Sequence, residues 1–168
     1  VCYSGSGDTS RDARAWRTGG QANTKMKSPT SQNNRMSVET AERYFELADD
    51  PDAGPADIAA LYAADATLLS PREGTFHGRD EVRQFFELNA EFFATGAHHI
   101  DRYHVDGDTV VCEGWIEGRT AAGRSYEGVG LTDIMQFNDA DEIQQLRVYL
   151  DYSAILTEIP DEAPDFRD

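Results

Sequence analysis

Lysine is nearly absent. The 168-residue chain holds two, Lys25 and Lys27, and every later basic side chain is an arginine or a histidine. Cysteine is equally scarce. Cys2 lies in the N-terminal stretch and Cys112 in a distant apolar segment, so no disulfide framework is indicated and the usage fits a reducing compartment. No apolar run approaches the roughly 20 residues of a membrane span, and no signal-type apolar region follows the N-terminus. The expectation is a soluble, cytoplasmic protein. A single domain of this length buries about two-thirds of its surface and needs no metal to fold.

Negative charge is abundant. The formal net charge is −16. The residues before Met36 carry six basic groups against Asp8 and Asp12, a balance of +4, which leaves −20 on the remainder. Nucleic acid and anionic membranes are poor partners for such a surface. An acidic body without lysine points to a halophilic protein, adapted to a salt-rich cytoplasm in which self-repulsion is screened; an ordinary acidic protein is the alternative.

Three segments differ in character. Residues 1–35 are rich in Gly, Ser, Thr, Asn and Gln and read as a disordered basic extension. Residues 36–156 carry the periodic apolar pattern of a domain, and residues 157–168 form an acidic tail with prolines. Within the domain, Ser37 is placed to cap a helix reaching Asp50, and Pro55 to open a second through Ala64. A short strand spans 66–70, a third helix spans 80–93 and is closed by Gly96, and strands cover 97–105, 109–118, 126–137 and 142–152. Helices first and antiparallel strands last indicate an α+β fold: a curved, mostly antiparallel sheet wrapped on three helices, leaving a conical interior.

The stretch Tyr126–Phe137 has the period of a strand, with Val129, Leu131, Met135 and Phe137 on one apolar face and Asp133 among them. A carboxyl there loses several kcal/mol of solvation and must be paired, hydrated or protonated.

The motifs Glu42–Asp49, Leu61–Thr67, Phe76–Asp80, Leu131–Phe137 and Glu142–Tyr152 resemble the SnoaL-like and ketosteroid-isomerase-like family of the nuclear-transport-factor-2-like superfamily. The resemblance implies a cone-shaped α+β barrel, a homodimer through the outer sheet face, no cofactor, and an interior suited to a small hydrophobic molecule. It places the catalytic oxyanion donors on Tyr44 and on a protonated Asp133, the arrangement of ketosteroid isomerase. Tyr62 falls on a supporting tyrosine, and Phe86 replaces another. Ser70 stands where the family carries its general base, and a hydroxyl is too weak for that role. With Tyr62, Ser70 and Phe86, the substrate-binding candidates are Ile116, Leu131, Val148 and Leu150.

Glu73 and His77 are near enough in sequence to replace the base, although His77 also suits a turn-stabilising role. The pair and acid that epoxide hydrolases of this fold use would fall on Gly114, Ile116 and Val148, which disfavours that chemistry. His98 and His104 have the spacing of one strand face but stand about 20 Å apart, too far to share a metal. These two and His99 read as surface or pocket-rim residues, Trp115 as partly exposed and Asp151 as structural. Two functions remain: an isomerase- or cyclase-type enzyme stabilising an enolate, or a non-catalytic ligand-binding or dimerisation domain.

Overall fold

The computed structural model describes residues 29–156, with side chains described from Arg35 onward. The first helix, α1, spans Pro29–Asp49. It starts eight residues before Ser37, so Ser37 is not its cap. That serine is buried inside the helix, and its hydroxyl lies 3.4 Å from Asp141 Oδ1. Residues 29–35 lack an apolar period, which is why the pattern begins the helix late. Of the extension expected to be disordered over 1–35, residues 29–35 belong to α1; residues 1–28 and the tail at 157–168 lie outside the described residues.

The second helix, α2 (Pro55–Ala59), is half the expected length, and strand β1 (Tyr62–Ser70) begins where the helix was expected to continue. Tertiary pairing overrides the helix propensity of Ala63 and Ala64 here. Tyr62 pairs with Ile143, and the Arg79 guanidinium donates to the Tyr62 carbonyl, with Nε at 2.7 Å. Strand β2 (Gly74–His77) folds back on β1, and helix α3 (Gly78–Phe92) follows with Val82, Phe85 and Phe86 buried. Gly96 does not end α3. The chain passes straight from Phe92 into strand β3 (Phe93–Asp106), in which Gly96 pairs with Gly118.

Strands β4 (Thr109–Thr120), β5 (Ser125–Phe137) and β6 (Ile143–Leu150) complete a six-stranded sheet of order β2-β1-β6-β5-β4-β3, parallel only between β1 and β6. Residues 152–154 form a 3₁₀ turn instead of prolonging β6, and Asp151 accepts the Ser153 backbone N–H at its start. The architecture is the expected α+β cone. Its inner face carries Val110, Cys112 and Ile116 from β4, Val129, Leu131, Asp133 and Met135 from β5, and Leu146 and Val148 from β6, all buried. The helices close this face with Tyr44, Phe45, Val82, Phe85 and Phe86.

A bulge between Ile100 and Arg102 of β3 changes which side chains face inward. One extra residue flips the alternation. His98 pairs with Ile116, which is buried on the inner face, whereas His104 pairs with Val111 and bonds the exposed Glu113 at 3.3 Å. The two histidines therefore do not share a face. Gly114 lies opposite this bulge, and a Cβ there would fall 2.1 Å from the His99 carbonyl oxygen, so only glycine admits the close approach.

Candidate functional site: a buried cluster of weak acids

Asp133 is 2 % exposed, between its register partners Cys112 on β4 and Val148 on β6. Among the described residues its Oδ1 has no hydrogen-bond partner. Burial pushes its carboxyl up to about 7, opposed only by the field of His98. A carboxyl of this kind is half neutral at pH 7 and largely neutral below about pH 6, and its neutral form can donate through the O–H.

Three more weak acids surround it. Tyr44 comes from α1 because Ala41, Tyr44, Phe45 and Ala48 fall on the helix stripe that packs on the sheet. Its hydroxyl is pushed well up by burial, then by Tyr62, Asp133 and Cys112. Tyr62, fully buried at the start of β1, is pushed well up by burial and by Asp133. The Cys112 thiol is pushed up by burial and by Asp133. The rings of Tyr44 and Tyr62 meet edge to face at 6.5 Å, and Phe86 stands 6.1 Å from Tyr44 and 6.0 Å from Tyr62. The Tyr44 and Tyr62 hydroxyls are neighbours that interact with each other, and Asp133 Oδ1 is the buried oxygen beside them left unmatched among the described residues. The cluster thus brings together neutral O–H and S–H donors around one buried, unmatched oxygen. Such an arrangement favours an acceptor oxygen that carries or develops negative charge.

The remaining expected residues fall into two groups. Phe86, Ile116, Leu131 and Val148 are buried on the inner face with the acids, and Leu150 packs against them half-buried. Ser70 is buried at the far end of β1, where its hydroxyl donates to Glu73, and Glu73 is in turn paired with Arg72. The Arg72 guanidinium lies 3.8 Å over the Phe92 ring. Tyr152 lies against Ser70, Arg72 and Glu73, and burial pushes its hydroxyl up to about 12. With its carboxylate held by Arg72 and Ser70, Glu73 is poorly placed to take a proton. His77 is exposed at the start of α3 and makes no side-chain cap; its backbone N–H is bonded by Glu81 at 2.7 Å. The turn is held by Glu81, not by the imidazole.

The pattern left one pair unseen. Asp49, the last residue of α1, accepts the His98 backbone N–H at 2.9 Å, and its Oδ1 lies 2.6 Å from His98 Nδ1. The His98 ring leans on Phe45 at 5.4 Å. The signals were present as an acid at a helix end and a histidine in a strand, but nothing in the spacing joined them. On the opposite sheet face His99 stacks on Trp115 at 3.8 Å and bonds Glu117 at 3.0 Å. A surface cleft of about 460 Å³ opens beside Thr95, Gly118 and Tyr126, and a second of about 350 Å³ beside Arg43, Asp50 and Ala60. Among the described residues no three His, Cys, Asp or Glu side chains gather as a metal site, and no helix is long and apolar enough to cross a membrane.

A family profile described as a SnoaL-like domain matches residues 41–145. No curated protein matches the chain. Among solved structures, a protein of ketosteroid-isomerase-like fold from Catenulispora acidiphila, in complex with trimethylamine, is 19% identical with a TM-score of 0.64, over 72% of this chain and 92% of that one. TerC, co-crystallised with polyporic acid, is 16% identical with a TM-score of 0.62, over 71% and 95%. SalBIII, an epoxide hydrolase/cyclase-like enzyme of pyran ring formation in salinomycin, is 15% identical with a TM-score of 0.58, over 75% and 95%. Likeness at this level of identity establishes the fold.

Proposed function

The chain belongs to the family of SnoaL-like domains, and from that premise we propose that it binds a small, largely apolar molecule inside its cone and holds one oxygen of that molecule with neutral donors. Asp133 and Tyr44 are the donors. Tyr62 supports Tyr44, while Phe86, Ile116, Leu131, Val148 and Leu150 supply the apolar wall and Ser70 closes its far end. The observation that carries this reading is the buried, unmatched Asp133 Oδ1 beside the Tyr44 hydroxyl. It costs about 1–3 kcal/mol while unmatched, a cost that a bound partner removes. Relatives in fold hold small molecules, trimethylamine in one and polyporic acid in another, which supports the coarse part of the reading.

The chemistry that such donors serve is enolate formation, in an isomerase or cyclase reaction without a cofactor. Donors aimed at a developing oxyanion in a dry site act far more strongly than in water. The second reading is a ligand-binding or dimerising domain without catalysis, the dimer forming through the outer sheet face. It is favoured by the engagement of Ser70 with Glu73, which leaves no carboxylate base at the family position.

Binding of 2-naphthol, a planar mimic of a small enol, tests the donor site against 2-methylnaphthalene, its apolar counterpart. Calorimetry should show at least a tenfold preference for the naphthol in the wild type. The preference should collapse in Asp133→Leu and weaken in Tyr44→Phe. Equal binding of the two compounds by the wild type, or a preference that survives in Asp133→Leu, would refute the donor assignment.

A further inference from the structure

Two polar pairs, Arg72–Glu73 and Asp49–His98, lie at the edge of the inner face of the cone. Arg72 and Glu73 neutralise each other beside Ser70. Asp49 and His98 are arranged differently. Asp49 holds the histidine at its backbone N–H and at Nδ1, and among the described residues Nε2 makes no hydrogen bond. A carboxylate only accepts, so Nδ1 carries the ring proton and Nε2 keeps its lone pair in the neutral ring. The register with Ile116 turns His98 toward the inner face, the bulge that follows leaves it there, and its ring meets Phe45 of the core. Among the described residues, His98 is the basic side chain whose field reaches Asp133.

We propose that His98, oriented by Asp49, is the proton acceptor of the Asp133 site. The proposal rests on the reading that Asp133 and Tyr44 hold an enolate oxygen. With the ketone oxygen held there, Nε2 takes a proton from the adjacent carbon. The C–H electron pair becomes the C=C bond of the enolate, and the carbonyl π pair moves to the oxygen between the two donors. The imidazolium is balanced by Asp49. Return of the proton from Nε2–H to the same carbon, or to the far end of a conjugated enolate, restores the ring, with atoms and electrons conserved. His98 is the catalytic group; Asp49 is a positioning residue. The titratable groups facing His98 are Asp49 from α1 and Asp133 from β5, while Glu117 of β4 is engaged with His99 on the other sheet face. This assignment also explains how a chain with Ser70 at the usual base position retains a donor site for an oxyanion.

The probe is 2-tetralone, a ketone with acidic hydrogens beside its carbonyl, whose exchange into deuterium oxide is followed by NMR above the solvent rate. The wild type should catalyse exchange. His98→Gln should lose at least 100-fold in rate while its 2-naphthol affinity stays within threefold of wild type, and imidazole added to His98→Ala should restore part of the exchange. Asp49→Asn should lower the turnover rate about tenfold with little change in KM, since the ring loses the carboxylate that orients it. Exchange by His98→Gln within threefold of wild type overturns the proposal. Naphthol binding by a wild type that exchanges nothing overturns it too and leaves the donor site standing; failure to bind naphthol overturns both. In the unmodified protein, ¹⁵N NMR of His98 should show the neutral ring protonated at Nδ1. The opposite tautomer would contradict the proposal even if every variant misfolds.

Discussion

Cys112 of β4 and Asp133 of β5 are register partners on the buried face of the sheet, and both are pushed up by that burial. The carboxyl rises to about 7, and its field adds to the rise of the thiol. The strands therefore place two acids side by side where neither ionises readily.

Stability should record this. Below about pH 4 the carboxyl is neutral in folded and unfolded chains alike. Between about 4 and 7 the unfolded chain ionises first, so the stability tied to the neutral form is lost as pH rises, by up to about 4 kcal/mol. Asp133→Asn stays neutral throughout. Urea unfolding should find it more stable than wild type at pH 8, with the difference closing toward pH 4. A loss of more than about 2 kcal/mol at pH 8 in the variant would mean an ionised, paired carboxylate.

Tyr62→Phe removes a buried hydroxyl whose neighbour is the Tyr44 hydroxyl. The ligand-free variant should lose no more than about 1 kcal/mol in thermal melts, the net worth of one neutral hydrogen bond. Its naphthol affinity should fall, because Tyr44 loses its support. A larger destabilisation would show that Tyr62 Oη has a further partner in solution.

At the other end of β1, Arg72 is 15% exposed and Glu73 8%. Glu73→Gln leaves the buried guanidinium without its counter-charge and should cost about 3–5 kcal/mol in urea unfolding. Ser70→Asp would set a second carboxylate against Glu73, so it should destabilise the protein and fail to create a base. Unchanged stability in Glu73→Gln would show that Arg72 finds other partners.

The fold was legible where one periodicity ran unbroken. The alternation from Val129 to Phe137 set Asp133 on an apolar strand face, and the family motif pointed to Tyr44 as its companion. It was illegible where pairing overrode propensity, as at Tyr62–Ala64, and where the bulge after Ile100 changed the face of every later residue of β3. The Asp49–His98 pair was hidden for a related reason. Its partners are 49 residues apart and meet only because β3 runs back past the end of α1. Gly96 misled because glycine ends helices and also permits close strand contact.

The residues after Arg35 carry a formal charge of −20. If the surface is salt-adapted, the melting temperature should rise steeply from low to molar salt, as the Debye length shrinks from about 10 Å to about 3 Å. Equal stability in dilute buffer, measured with and without residues 1–35, would remove the case for salt adaptation.

The central claim is that Asp133 serves as a neutral donor. Carboxyl ¹³C NMR of selectively labelled protein reads its protonation directly, with Asp133→Asn assigning the resonance. The account predicts a midpoint of about 7 in the ligand-free protein. A midpoint in the ordinary carboxylate range, near 4, would contradict it and leave Tyr44 without its partner donor.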